Sequence, residues 1–295
     1  MPLHPKSPLD VGLGREQMMR LIEVSMATFL LHVEARLFSY VGEVSRNCAT
    51  TACDAGKLAL TSVMQGYYTI GPCGEEAMGA LGLALRQTDP AALHYRHVTA
   101  QMARQAASGK DMDEILLDRA RGCGCGQWGT AGRLARAGIS RSLVLCGSYV
   151  VSALDPVTGG AHCAIGGGPA DYAVTSTLSS QTPPAVGRAL ATPLAHMLKV
   201  DTPFPRDAVN VVSLGDGSVN NGHYLTAANL AAYSEFRGRK CPVLFVITDN
   251  DRCISLRGYR WIQQFSRNSP MPVFSADGHD VLDVYQQSER ALVRE

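Results

Sequence analysis

The chain has no surplus of charge: 27 lysines and arginines face 26 aspartates and glutamates, a formal net charge of +1 over 295 residues. That balance gives no reason to expect nucleic acid or an anionic membrane surface as a partner. Long apolar runs are also lacking, and none approaches the ~20 residues a membrane-spanning helix requires. The opening stretch, Met1-Pro2-Leu3-His4-Pro5-Lys6-Ser7-Pro8, carries prolines and no apolar centre. It reads neither as a signal peptide nor as an amphipathic transit helix, and residues 1–16 are expected to form a flexible arm. The nine cysteines show no paired framework, and their odd number fits a reducing, cytoplasmic setting better than a secreted one. Cys123-Gly124-Cys125 lacks the C-x-x-C half that a zinc site would need, so free thiols are expected there.

What the chain does have is apolar content, 46% of residues, enough for a core built from residues 17–295. Between Gln17 and Val44 apolar residues recur at helical spacing, predicting one long amphipathic helix or two in succession. Two short β-branched runs follow much later, Val209 to Leu214 and Pro242 to Thr248, bounded by turn residues as buried parallel strands are. The alanine-rich segment from Tyr224 to Phe236 has helical spacing, so the unit reads strand, helix, strand. In such a unit both strands run parallel and their carboxyl ends open on one edge, where open α/β sheets bind ligands. Asp216, in Gly215-Asp216-Gly217-Ser218, and Asn250, in Asp249-Asn250-Asp251, therefore converge. A carboxylate and a carboxamide offer hard oxygens suited to Mg²⁺, which is commonly shared with phosphate. The flanking glycines let a phosphate approach the backbone, and N–H groups opening the helix after Ser218 favour an anion.

Other stretches are readable more locally. Glu75 and Glu76 are expected in the first turn of a helix running to about Arg86, where acidic residues suit the helix dipole. Arg96, between Tyr95 and two histidines, is chemically apt for a diphosphate, because a guanidinium binds phosphate through a fork. A helix from about Ala100 to Arg119, broken near Ser108-Gly109, leads into a glycine-rich tract, residues 121–168, long enough to mark a functional loop. It contains His162 and a possible strand at Leu143-Val144-Leu145. The segment Thr175-Ser176-Thr177-Leu178-Ser179-Ser180-Gln181 is dense in hydroxyls ahead of a proline-started helix. Capping chemistry accounts for that pattern, and so does a cluster of oxygens facing a cation. Val273 to Tyr285 is expected to give strand, turn and capped helix, the helix continuing to Glu295.

Taken together, the GDG-to-Asn unit, Tyr67 to Ala77, His94 to Arg96 and Thr175 to Ala191 resemble one family in the right order. It is the alpha subunit, or alpha-like region of a fused chain, of the thiamine-diphosphate-dependent first component of 2-oxo acid dehydrogenase complexes, nearest the branched-chain type. The fold this implies is α/β: a mostly parallel central sheet flanked by helices, the thiamine-diphosphate-binding fold, with an N-terminal helical arm. The resemblance assigns Mg²⁺ to Asp216, Asn250 and the backbone carbonyl of Arg252; the family's first Asn is Asp249 here. It assigns the diphosphate to Tyr95 and Arg96, and cofactor contacts to Ser176, Leu178, Gly217, Ser218 and Ile254. It places a potassium ion among Thr175, Thr177, Ser180 and Gln181, with Thr177 where the family has proline. Tyr67, Tyr68 and Ile70 would line the acyl pocket or serve as core residues.

The implied function is oxidative decarboxylation of a small 2-oxo acid with acyl transfer to a lipoyl-bearing acyltransferase. The family's catalytic glutamate belongs to a beta-type partner, and its cofactor-contacting histidine loop is not recognisable in this sequence. The domain is therefore expected to be incomplete at its C-terminus, a half-site holding the diphosphate and Mg²⁺ and inactive without that partner. A transketolase-like cofactor-binding half would instead carry histidine-rich motifs upstream. A catalytically silent fragment, acting only as a binding partner, would lack affinity for the cofactor.

Overall fold

A computed structural model describes residues 7–48, 74–120, 177–253 and 258–293. Tyr67, Tyr68, Ile70, Cys123, Cys125, His162, Thr175, Ser176, Ile254 and the strand expected at Leu143 to Leu145 lie outside them. Within the stretch expected as an arm, Pro8–Val11 forms a 3-10 turn closed by reciprocal Ser7 and Asp10 hydrogen bonds, and Leu13 enters the core.

The helices among the described residues are α1 (Arg15–Cys48), α2 (Met78–Ala84), α3 (Val98–Ala107), α4 (Met112–Ala120), α5 (Thr182–Met197), α6 (Gly222–Phe236), α7 (Trp261–Ser266) and α8 (Val281–Ala291). The strands are β1 (Ala91–Ala92), β2 (Asn210–Gly215) and β3 (Val243–Thr248). They form one parallel sheet in the order β1, β2, β3, with Ala91 opposite Val211 and Asn210 through Gly215 opposite Val243 through Thr248. The expected α/β architecture is present, with helices on both faces of this sheet.

Alternation along the strands decides which helix covers which face. Val211, with Val209, Leu244 and Val246, packs into the cluster made by α1, α2, α3 and α8, including Leu21, Val24, Leu81, Met102 and Tyr285. Val212 and Phe245 turn the other way, onto Ala185, Val186 and Ala189 of α5 and Ala227 and Ala231 of α6. The side chains of Val211, Val212 and Leu214 are fully buried. At about 1.5–3 kcal/mol for each such side chain, β2 is the sheet's anchor. Every residue of β3 is only partly buried.

The long helix is one helix, α1, with Leu21, Val24, Thr28 and Leu31 spaced along its buried face. Three further expectations require correction. Glu75 and Glu76 precede α2, which opens at Met78, because the Glu76 carboxylate takes the Gly74 N–H and Glu75 reaches His97. No strand forms near Val273: Val273 and Phe274 stay half-exposed, and the Arg290 guanidinium lies over the Phe274 ring. The helix beyond is capped as expected, the Asp280 carboxylate accepting from the N–H groups of Leu282 and Asp283. It ends at Ala291, short of Glu295, with the Leu292 N–H bonded to Ser288 and Glu289 carbonyls.

Candidate functional site

The carboxyl ends of three parallel strands face one edge, so the segments following them share it. His94 to His97 follow β1, Asp216 to Ser218 follow β2, and Asp249 to Cys253 follow β3. A fourth segment, Thr177 to Gln181, is tied in from the side: the Ser179 hydroxyl donates to the Ser218 carbonyl at 2.8 Å. The Gln181 amide donates to the Ser213 carbonyl at 2.9 Å.

After β2 the backbone enters a 3-10 turn, Asp216–Asn220, and only then α6, capped by the Asn221 side chain accepting from the His223 N–H. This turn holds Asp216 with 7% of its surface exposed. One carboxylate oxygen, Oδ1, accepts from the Gly217 N–H at 2.9 Å; the other, Oδ2, is buried with no hydrogen-bond partner. Burial raises the pKa of Asp216 and the Asp249 charge adds to it, while the N–H groups of Gly217 and Arg252 act against the rise. The Arg252 N–H also donates to Asn250 Oδ1 at 3.0 Å. Asp216 and Asn250 thus turn their oxygens toward a common backbone amide. A Cβ on Gly217 would press on Cys253 Sγ at 3.0 Å, so the two loops touch where glycine stands.

The donor chemistry fits a divalent cation. A buried carboxylate oxygen without a partner is a costly group that a cation would satisfy, and it would hold the acid ionised. Among the described residues no group of three His, Cys, Asp or Glu side chains is placed to hold a metal. The set is instead one carboxylate and one carboxamide, leaving further positions to a backbone carbonyl and to phosphate, as Mg²⁺ prefers.

Tyr95 and Arg96 are half-buried, with the guanidinium 5.4 Å from the Tyr95 ring centroid. In the hydroxyl segment, Leu178 is 40% exposed. The Thr177 carbonyl accepts from both the N–H and the hydroxyl of Ser180. Gln181 Oε1 is buried and unpartnered.

Sequence reasoning did not find the polar group beneath this edge. His97, fully buried, places Nδ1 2.7 Å from Ser213 Oγ, and Nε2 3.3 Å from Thr248 Oγ1 and 2.7 Å from Glu75 Oε2. The Glu75 oxygen is a close neighbour lacking hydrogen-bond geometry. The available signal was a lone serine inside the apolar run Val211-Val212-Ser213-Leu214. A groove of about 2010 Å³, lined by Leu194, Met197, Tyr233, Lys240 and Pro242, opens toward the amino ends of the strands and is separate from this edge.

The sequence pattern of a family described as Dehydrogenase E1 component matches residues 66–295. The chain is 32% identical over 125 residues to the 2-oxoisovalerate dehydrogenase subunit alpha of Bacillus subtilis (strain 168), covering 41% of this chain and 34% of that one. It is 36% identical over 84 residues to the mitochondrial 2-oxoisovalerate dehydrogenase subunit alpha 2 of Arabidopsis thaliana, 28% of this chain and 15% of that one. With the chloroplastic pyruvate dehydrogenase E1 component subunit alpha-3 of Arabidopsis thaliana it shares 32% over 93 residues, 30% and 21% of the respective chains. The matched stretches span about a third or less of these relatives' lengths. Every segment now gathered at the sheet edge falls inside the family match, and the chain belongs to the dehydrogenase E1 component family.

Proposed function

We propose that this chain is the diphosphate- and Mg²⁺-holding half of a thiamine-diphosphate-dependent enzyme. The reaction is oxidative decarboxylation of a 2-oxo acid, with a branched-chain acid favoured by two relatives' names. The observation that carries the proposal is the buried, unpartnered Asp216 Oδ2, beside a loop in which Asn250 Oδ1 faces the same Arg252 amide.

In this reading Asp216 and Asn250, with the Arg252 carbonyl, hold Mg²⁺. Tyr95 and Arg96 grip the diphosphate, the guanidinium through its fork and the phenol through one donor. Gly217 and Ser218 supply close backbone approach, and the family resemblance adds cofactor contacts from Ser176, Leu178 and Ile254. When bound, thiamine diphosphate supplies a carbon nucleophile and an electron sink. Overall the substrate carboxylate leaves as CO₂, and the remaining acyl carbon is oxidised as the lipoyl disulfide is reduced to a thioester and a thiol. The proton transfers require an acid and base, which a beta-type partner contributes; a lipoyl-bearing acyltransferase receives the acyl group. A potassium ion belongs to the same proposal. Gln181 Oε1 is the acceptor open to it, Thr177 and Ser180 stand in the same turn, and Thr175 is assigned by the family resemblance alone, although the Thr177 carbonyl would have to give up its Ser180 contacts.

Isothermal titration of the chain, alone and with a beta-type partner, tests the reading. Saturable heat with thiamine diphosphate that requires Mg²⁺ and disappears in Asp216→Ala is expected. Absence of heat in both preparations would reject the cofactor assignment and favour the silent-fragment reading.

A further inference from the structure

Beneath the candidate site runs a hydrogen-bonded line that no step of the proposed chemistry uses. The His94 N–H donates to Ser213 Oγ at 2.8 Å, and Ser213 Oγ lies 2.7 Å from His97 Nδ1. The serine oxygen thus joins a backbone amide to the imidazole, with the ring's tautomer setting which of Ser213 Oγ and His97 Nδ1 donates. On the other side of the ring, Nε2 faces Thr248 Oγ1 at 3.3 Å and the Glu75 carboxylate at 2.7 Å. Both Ser213 and His97 are fully buried. Carboxylate, imidazole and hydroxyl thus occur in the order a hydrolase would use, but Ser213 Oγ is buried and already engaged. Nucleophilic use is excluded by that burial.

The ends of this line matter. One is the backbone of His94, immediately before Tyr95 and Arg96; another is Thr248, which closes β3 just before Asp249 and Asn250. Ser213 stands in β2 shortly before Asp216, and Glu75 stands in the turn ahead of α2. One side chain, His97, therefore ties the segment following β1 to β2 and β3 themselves. The Arg96 N–H also points at His94 Nδ1, at 3.3 Å, continuing the order into the clamp.

We propose that His97, with Ser213 and Glu75, is a positioning device that fixes the Tyr95-Arg96 clamp relative to the Asp216 and Asn250 strand tips. The inference rests on the thiamine-diphosphate reading above. It predicts that the network acts through Arg96, not through stability alone.

The test is a double-mutant cycle in the full chain with its beta-type partner, read as thiamine diphosphate affinity by titration at saturating Mg²⁺ and alongside urea unfolding. Ser213→Ala and His97→Phe should each weaken affinity about tenfold or more, the scale seen when outer partners of a binding group are removed. In an Arg96→Ala background the same changes should add little. His97→Asn, whose carboxamide can take the place of Nδ1, should recover most of the loss. Should His97→Phe fail to fold, Ser213→Ala carries the cycle by itself. Equal losses in both backgrounds, or wild-type affinity in Ser213→Ala, would overturn the proposal while leaving the cofactor reading intact. A wild-type complex that takes up no thiamine diphosphate would overturn both.

Discussion

Asp216 ties function and stability together in opposite senses. Burial raises its pKa first, and Asp249 adds to the rise. A carboxyl with a raised folded-state pKa contributes its stability below the unfolded value, about 4, and loses it as pH climbs through the folded value. At neutral pH its charge is thus a burden on the metal-free fold. Asp216→Asn should unfold at higher urea than wild type at pH 7 in EDTA, the difference closing below about pH 4. The same variant should lose Mg²⁺-dependent cofactor uptake; a variant less stable than wild type at pH 7 would contradict the burial cost assigned to this carboxylate. His94 works the other way. Burial, then the His97 and Arg96 charges, lower its pKa to about 3. The folded chain resists a proton that the unfolded chain accepts near pH 6.5, so stability is present above that pH and falls as pH drops toward 3. The stability difference between wild type and His94→Gln should shrink with acid by at most about 1.4 kcal/mol per pH unit across that window. A pH-independent difference in urea midpoints would refute it.

Between elements, close approach and buried charge set the largest costs. Gly82 lets α2 lie against α3, since a Cβ there would fall on the Ala100 carbonyl oxygen and within 2.9 Å of Ala103 Cβ. Backbone atoms cannot yield cheaply, so Gly82→Ala should cost about 2–3 kcal/mol by urea unfolding. The link between α2 and β2 is Asp89, fully buried, which accepts from Arg86 Nη2 at 3.0 Å and from the Val209 N–H at 3.0 Å. Removing it leaves the partly buried Arg86 guanidinium and Val209 N–H without this acceptor; Asp89→Ala should cost about 2–3 kcal/mol. Asp207 also pairs with Arg86, at 2.7 Å, but is 44% exposed. Its alanine variant should cost about 1 kcal/mol at most, and similar losses for the two would sink this distinction.

At the scale of the molecule, protection should follow the sheet's burial. β2 is bonded to a strand on each side and buried, whereas β3 is half-buried throughout. Amide hydrogen exchange should therefore be slowest in β2 and faster in β3. Much of this architecture was legible in the sequence. The β-branched runs marked β2 and β3, helical spacing marked α1 and α6, and the turn before Val281 marked the capped start of α8, because each is a local preference written in neighbouring residues. β1 was not legible: Ala91 and Ala92 have no strand preference of their own, and their pairing is imposed by β2, the Val211 N–H bonding the Pro90 carbonyl at 2.8 Å. The strand expected at Val273 failed for the converse reason, since β-like composition cannot make a strand that pairs with no sheet edge.

Sequence alone determined the elements that local chemistry specifies, and the order of the four segments that mark the family. It also indicated that Asp216 and Asn250 would share a sheet edge, because a strand-helix-strand unit leaves the carboxyl ends side by side. Only the tertiary structure decided that one oxygen of Asp216 is buried without a partner, that Ser179 and Gln181 fasten a fourth segment to β2 and the turn after it, and that His97 joins the segment after β1 to β2 and β3. Those facts depend on which side chains meet across long stretches of chain. Distance in space between such residues is set by packing, which no local pattern records.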